Sequence, residues 1–269
     1  MNPFRVLSWG CGVQSTALAV MSALGELPSL NAIITADTGW ERRATYAIRD
    51  FYSAWLKDHG LEVHIVSVGN VRELGAEKHV HIPFWTEGGG PLRRQCTRNF
   101  KIRPIRRKAR ELLGYSATHP PHPPPGSIEQ WLGISLDEFS RMKDSRKKYI
   151  VNRFPLIERR LTRTDCIEFL ESHHLPVPVK SACVCCPYRR ASEWLEMQEE
   201  DPEEFQDAVE FDELNRDNPL AKRGASWADR LFIYKNAQPL ASANLIEDAK
   251  REKSSKQLPL ICDAGFCHV

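Results

Sequence analysis

What most narrows the possible folds of this chain is the alternation in its first third. Phe4-Arg5-Val6-Leu7 is a short β-favouring run, followed by Ser8-Trp9-Gly10-Cys11-Gly12-Val13-Gln14-Ser15, a turn rich in glycine and small residues. Residues 16–24 then bring Ala, Leu, Met and Val at the density of a helix packed on a sheet. The pattern repeats: residues 31–36 read as a buried strand ending at Asp37-Thr38-Gly39-Trp40, 45–59 as a helix and 61–68 as a strand. Strand–helix–strand alternation implies an α/β fold, a doubly wound parallel sheet with helices on both faces. Such sheets bind ligands at the carboxyl ends of their strands. The Gly10–Ser15 loop and Asp37-Thr38-Gly39 are both expected at that edge.

A strand–turn–helix leaves backbone N–H groups at the helix start without intrahelical partners, and with the helix dipole they favour an anion, commonly phosphate. Gly10-Cys11-Gly12 lacks the third glycine of the dinucleotide fingerprint, and no Lys-Ser/Thr pair makes a Walker-type loop. On its own the turn reads equally as a tight connection in which glycine relieves backbone strain. Further along, 99–113 reads as a helix, 128–134 as a strand and 164–173 as a helix, while 119–126 is a His/Pro-rich surface insertion. The remainder is mainly helical, through 193–200 and 202–215. The expected division is a nucleotide-binding part over 1–190 and a helical extension with a cysteine-bearing tail over 191–269.

Charge matters locally rather than globally. A net charge of +2 over 269 residues gives no overall case for a nucleic-acid partner. Between Arg93 and Arg110, however, nine Lys and Arg residues occur without an acid, a run that suits phosphates on a nucleotide or along a tRNA or DNA backbone. A solvated helix face is the alternative. No apolar window reaches the length of a membrane span and the N-terminus lacks a signal-peptide pattern, so a cytoplasmic protein without a membrane partner is expected. In a reducing compartment eight cysteines, with Cys183-Val184-Cys185-Cys186 clustered, point to metal or thiol chemistry rather than disulfides.

In order along the chain, these pieces resemble one family. Residues 8–15 are similar to the S-G-G-x-D-S loop of the PP-loop ATP pyrophosphatases, with Gln14 at the acid's position, and closer still to the loop of phosphoadenosine phosphosulfate (PAPS) reductases. Asp37-Thr38-Gly39-Trp40 with Thr45-Tyr46 resembles that family's D-T-G…E-T-Y segment, Ala44 replacing the Glu. Cys96 to Pro104 is similar to a C-C-x-x-R/K-K-V-x-P segment, and 162–187 to D-V-W-x-Y-I…H-x-L-P…G-C-x-x-C-T. The resemblance is collinear from Ser8 to Pro187 and implies an adenine nucleotide alpha hydrolase-like, Rossmann-like fold.

By that resemblance Ser8, Gly10, Gly12, Val13, Gln14 and Ser15 would cradle the phosphates of ATP or PAPS, with Mg2+ as an accompanying ion. Asp37, Thr38 and Gly39 would meet ribose or adenine, a helix cap being the other reading of Asp37. Lys101 is the candidate side chain for phosphate or sulfate. Cys96, Cys183 and Cys186 match three ligands of a [4Fe–4S] cluster. For the fourth, Cys166, Cys185 and the C-terminal cysteines are open; Cys166 is preferred because its helix feeds the Cys183 loop. Four thiolates also suit structural zinc. Cys267 beside His268 partly resembles the family's C-terminal nucleophile, and reads equally with Cys262 as a metal clip or an inert thiol. Two activities fit: ATP-dependent adenylation coupled to sulfur transfer onto a nucleic acid, served by a thiol reductant or sulfur-donor protein, and reduction of a sulfonucleotide with sulfite release. A nucleotide-binding partner without turnover is the third.

Overall fold

The structure, a computed structural model, describes residues 3–77, 82–88, 90–220, 222 and 230–254. Its centre is a five-stranded sheet, every neighbouring pair parallel, built from β1 (Phe4–Ser8), β2 (Ala32–Asp37), β3 (Val63–Ser67), β5 (Ile128–Leu132) and β6 (Ile150–Arg153) in the order β3-β2-β1-β5-β6. The order reverses direction at β1, so the crevice between the ends of β1 and β5 is the topological switch point, where such sheets take ligands.

Alternation along the strands decides which helix packs where. Leu7, Ile33 and Trp131 point to one face, where α1 (Val13–Ala23), α2 (Arg43–Asp58) and α6 (Arg163–Ser172) lie. Val6, Ile34 and Ile128 point to the other, against Ile105 and Ala109 of α4 (Arg103–Leu112). Helix α1 is buried along nearly its whole length, Ala17 to Val20 at 0% exposure. At roughly 1.5–3 kcal/mol for each large apolar side chain removed from water, tertiary burial rather than capping holds it, since Gly12 supplies no side-chain cap.

The chain after Pro187 forms α7 (Ala191–Glu200), α8 (Pro202–Asn215) and α9 (Leu245–Ser254), with β7 (Leu231–Phe232) paired antiparallel to β4 (Trp85–Thr86). One apolar cluster joins Trp194, Met197, Phe205 and Phe211 from this part to Trp40, Val71, Ile82, Phe84 and Phe100 from earlier in the chain. The two parts expected on either side of residue 190 therefore share a core. That core brings the cysteine loop, 183–186, under the end of β2.

Candidate functional site

The loop after β1 is held by its own small side chains. Ser15 Oγ donates to the Gly12 carbonyl (3.2 Å) and accepts from the Gly10 N–H (3.3 Å). Cys11 stands in the left-handed region at φ 56°, where the family pattern it resembles has glycine. Gly133, just past β5, presses directly on this loop: a Cβ there would come within 2.6–2.9 Å of the Ser15 backbone and Cβ. The start of α1, with its free N–H groups and no acid in its first turn, thus opens into the crevice between β1 and β5.

A cavity of about 360 Å3 fills that crevice. Ser8, Gly10, Gly12, Gln14 and Ser15 line one side of it. Arg141, Arg163, Lys180, Arg189 and Arg190 line the rest, against only two acids, Glu138 and Glu193. Val13 does not line it, its side chain lying in the core at 1% exposure. Gln14 is engaged within the protein: its Nε2 donates to Glu138 Oε2 (3.1 Å) and Ser135 Oγ (3.4 Å), and its Oε1 accepts from Arg163 Nη1 (3.0 Å). Where the motif has an acid, this chain has an amide that joins an arginine to a glutamate. Burial pushes the Glu138 carboxyl above the ordinary range, against the pull of the Arg141 guanidinium to which it is bonded.

Asp37 and Thr38 line other cavities than this one, and Gly39 does not line it. Asp37 accepts from the Gly39 N–H (2.7 Å), Tyr46 Oη (3.0 Å) and Arg49 Nη1 (2.9 Å), so it ties the turn, while the N-cap of α2 is Arg42. Gly39 is at φ +73°, with a would-be Cβ 2.7 Å from Asn70 Cα, so only glycine fits where the turn docks on α3 (Val71–Glu77). Thr38 Oγ1 donates to Glu41 Oε1 (3.0 Å) and lies 3.2 Å from Cys183 Sγ. Lys101 Nζ pairs with the same Glu41 oxygen at 2.8 Å, both side chains buried. Lys101 therefore stands in the wall between cavities, bound to an acid that sequence reasoning missed. Glu41 Oε2 and Thr45 Oγ1 are buried without hydrogen-bond partners beside a small side pocket that Gly10, Asp37 and Lys101 also line. That pocket suits a hydrogen-bond donor such as an exocyclic amine or a hydroxyl.

The cysteines meet in a second, mostly apolar cavity lined by Cys96, Cys183, Cys185 and Cys186 together with Val71, Ile82 and Phe100. The main chain ties this loop to the turn after β2, Val184 N–H donating to the Trp40 carbonyl at 2.9 Å. Cys166 is not brought there. It is fully buried on the α1 side of the sheet with Leu170, because the inward positions of α6 face α1 rather than the cysteine loop. Burial pushes its thiol up to about 12. Cys185 occupies the place beside the other three. Cys183 and Cys185 are likewise held well above the usual thiol range, first by desolvation. The donor set is thus right in number and kind for a cluster or zinc, yet among the described residues no three His, Cys, Asp or Glu are arranged to hold a metal ion. Cys262, Cys267 and His268 lie outside the described residues.

Ala182, Cys186 and Tyr188 line both the cysteine cavity and the cation-lined one, forming the wall between them. Arg189, Arg190 and Lys180, which sequence reasoning also passed over, flank the cysteine motif within ten residues, and that proximity was the available signal. The Arg93–Arg110 run begins next to a six-residue π-helix, Thr97–Ile102, and divides its charges. Lys101 and Arg110 are buried, Arg94 lies over the Tyr188 ring, and Arg93, Arg98, Arg103 and Arg107 are exposed. Among the described residues no helix is long and apolar enough to cross a membrane.

No family model matches the sequence, and no curated protein matches it. Among solved structures the chain is similar to the crystal structure of a phosphoadenylyl-sulfate (PAPS) reductase from Candida auris in a phosphate complex. The identity is 13%, the TM-score 0.43, and the match covers 66% of this chain and 76% of that one. Likeness at that level carries no chemistry, which has to come from the residues themselves.

Proposed function

We propose that this chain is a PAPS reductase-like PP-loop enzyme that binds ATP in the β1/β5 crevice, adenylates a target oxygen on a nucleic acid, and replaces that oxygen with sulfur. The observation that carries this reading is the shared wall: Cys186 borders the cation-lined cavity on one side and the other three cysteines on the other. In the first step the target oxygen attacks the α-phosphorus and pyrophosphate leaves. In the second, sulfide, freed from a donor protein's persulfide by a thiol reductant that leaves as its disulfide, attacks the activated centre, and AMP leaves carrying the original oxygen.

The residues would divide the work by chemistry. The α1 N-terminus, Arg163 and Arg141 neutralise charge on the pyrophosphate as it departs, with Gln14 positioning Arg163. Lys180, Arg189 and Arg190 stand at the cysteine side of the cavity. Glu41 Oε2 and Thr45 Oγ1 offer partners to a donor group of the nucleoside. Cys96, Cys183, Cys185 and Cys186 would hold a [4Fe–4S] cluster or zinc, Cys185 in place of Cys166; when bound, a cluster supplies a site for sulfur to be carried. Cys267 is retained as the tail nucleophile of this reading.

The test uses anaerobically purified protein given ATP or PAPS separately with a thiol reductant, products resolved by anion exchange, and iron and zinc measured on the same sample. AMP and pyrophosphate from ATP, stimulated by bulk tRNA or DNA, are expected. Adenosine bisphosphate and sulfite from PAPS would instead make it a sulfonucleotide reductase. Nucleotide bound without turnover of either would make it a binding partner.

A further inference from the structure

The stretch Leu136–Arg141, between β5 and β6, is 3-10 helix interrupted by non-helical backbone at Glu138, and burial divides its side chains and the flanking ones into two unlike rows. Ser135, Glu138 and Arg141 face inward: Ser135 is fully buried, Gln14 bridges it to Glu138, and Glu138 and Arg141 line the nucleotide cavity. Leu136, Phe139 and Met142 form the adjoining row and are 37%, 66% and 47% exposed. An apolar ridge with an aromatic at its centre thus adjoins in sequence the residues Glu138 and Arg141 that line the cavity.

Beyond Met142 the chain runs along the outer edge of the sheet. Asn152 Nδ2 donates to the Lys143 carbonyl (2.8 Å), and Gly126 N–H donates to that of Lys148 (3.0 Å), tying the loop to β6 and to the connection before β5. Arg146, Lys147 and Lys148 on it are exposed. From Phe139 to Arg160 eight Lys and Arg residues face two acids, Asp144 and Glu158, in a chain of net charge +2, so the rest of the molecule is net acidic. This stretch is a second concentration of positive charge besides the Arg93–Arg110 run, and it follows the ridge in the chain.

We propose that the ridge Leu136-Phe139-Met142 and the basic loop Arg146–Lys148 bind a single-stranded nucleic acid, with an unpaired base stacked on Phe139 and phosphates on the loop. An exposed aromatic beside a cationic track is the arrangement that recognises single strands, whose bases are free to stack, whereas a duplex presents its phosphates first. The geometry also places the stacked base one row away from Glu138 and Arg141, so the neighbouring nucleotide meets the cavity. The inference rests on the nucleic-acid reading of the target, but it concerns binding alone and moves the interface from the Arg93–Arg110 run, whose charges are partly buried, to residues 136–148.

The test is fluorescence anisotropy of the full chain with short labelled RNA and DNA single strands and the matching duplexes, over a range of KCl concentrations. Log affinity for single strands should fall linearly with log salt. The triple variant R146Q/K147Q/K148Q should lower that slope by about 2, at roughly 0.7 for each phosphate contact. Phe139→Ala should weaken single-strand binding about tenfold while leaving the duplex unaffected. The RNA and DNA arms tell which strand is the ligand. No single-strand binding, slopes unchanged by the triple variant, or loss instead in R98Q/R103Q/R107Q would overturn the proposal. So would polyglutamate competing as well as nucleic acid with no effect of Phe139→Ala, which would mark an acidic protein surface as the partner. The two failures separate cleanly. Sulfite release from PAPS with strand binding intact removes the adenylation reading alone, and AMP formation without strand binding removes this surface alone.

Discussion

The β1/β5 cavity is walled by Arg141, Arg163, Lys180, Arg189 and Arg190 at the open ends of β1 and β5, while the cavity behind Cys186 has Val71, Ile82 and Phe100 around four thiols. The first is built to hold anionic charge, with α1's N–H groups and five cations against two acids. The second is mostly apolar: desolvation raises the Cys183 and Cys185 thiols above the usual range, and Glu41 adds to this at Cys183. Lys101 stands elsewhere, between the cysteine cavity and the small side pocket at Glu41. Its ammonium is neutralised by Glu41, so the buried pair adds no net charge to the cysteine side. Because both partners are buried, this pair is where substitution should do the most damage.

Lys101→Met leaves Glu41 buried without its cation and should destabilise the protein by about 3–5 kcal/mol in denaturant melts. The double variant E41Q/K101M should recover most of that loss and bind ATP nearly as well as wild type. A double variant that folds but has lost ATP would put Lys101 on the phosphates and break the comparison. Next in size is Gly133→Ala, whose methyl would meet the Ser15 backbone at 2.6–2.7 Å. The loop must shift, at about 1–3 kcal/mol, and nucleotide affinity measured by calorimetry should fall roughly tenfold or more. An unchanged affinity would mean the loop does not hold the phosphates.

The third effect separates buried thiols from the rest. Cys11 and Cys166 are pushed up to about 12 by burial, from an ordinary value of 9.0. The folded state therefore keeps protons that the unfolded chain gives up above about pH 9, so stability present below that pH is lost as pH rises toward 12. Each thiol should steepen the fall by about 1.4 kcal/mol for each pH unit. Urea melts at successive pH values should show the slope, and Cys166→Ala should reduce it by one thiol's share. An identical slope in the variant would show that Cys166 ionises as readily folded as unfolded.

Much of this arrangement was legible in the sequence because it depends on local pattern. The alternation after Phe4 implied the parallel sheet, and glycine at 39 marked a turn that requires it, whereas the left-handed residue of the first turn is Cys11 and not Gly12. What stayed hidden depends on which elements face each other. Cys166 and Cys185 are both near the cysteine motif in sequence, but only the packing of α6 on α1 decides that Cys166 turns away. Gln14 read as a phosphate donor because nothing local shows Arg163 and Glu138 arriving from more than a hundred residues away. Glu41 carried no motif at all. The short strand β6 was missed because its four residues lie within a charged stretch, where edge strands are poorly marked.

The smallest expected effect tests the loop itself. Cys11 at φ 56° bears a strain of roughly 1 kcal/mol that glycine would not, yet its side chain is 5% exposed and its sulfur lies 3.6 Å from Thr35 Oγ1. Cys11→Gly relieves the strain and loses the contact, so its net change should be within about 1 kcal/mol of zero. Cys11→Ala loses the same sulfur but keeps the strained backbone, and should be less stable than Cys11→Gly by about 1 kcal/mol. The difference between the two variants isolates the backbone term, because both lack the thiol. Equal stabilities in urea would show that the loop relaxes out of the left-handed region. Its N–H groups would then no longer be held toward the crevice, and nucleotide affinity should drop in both variants together.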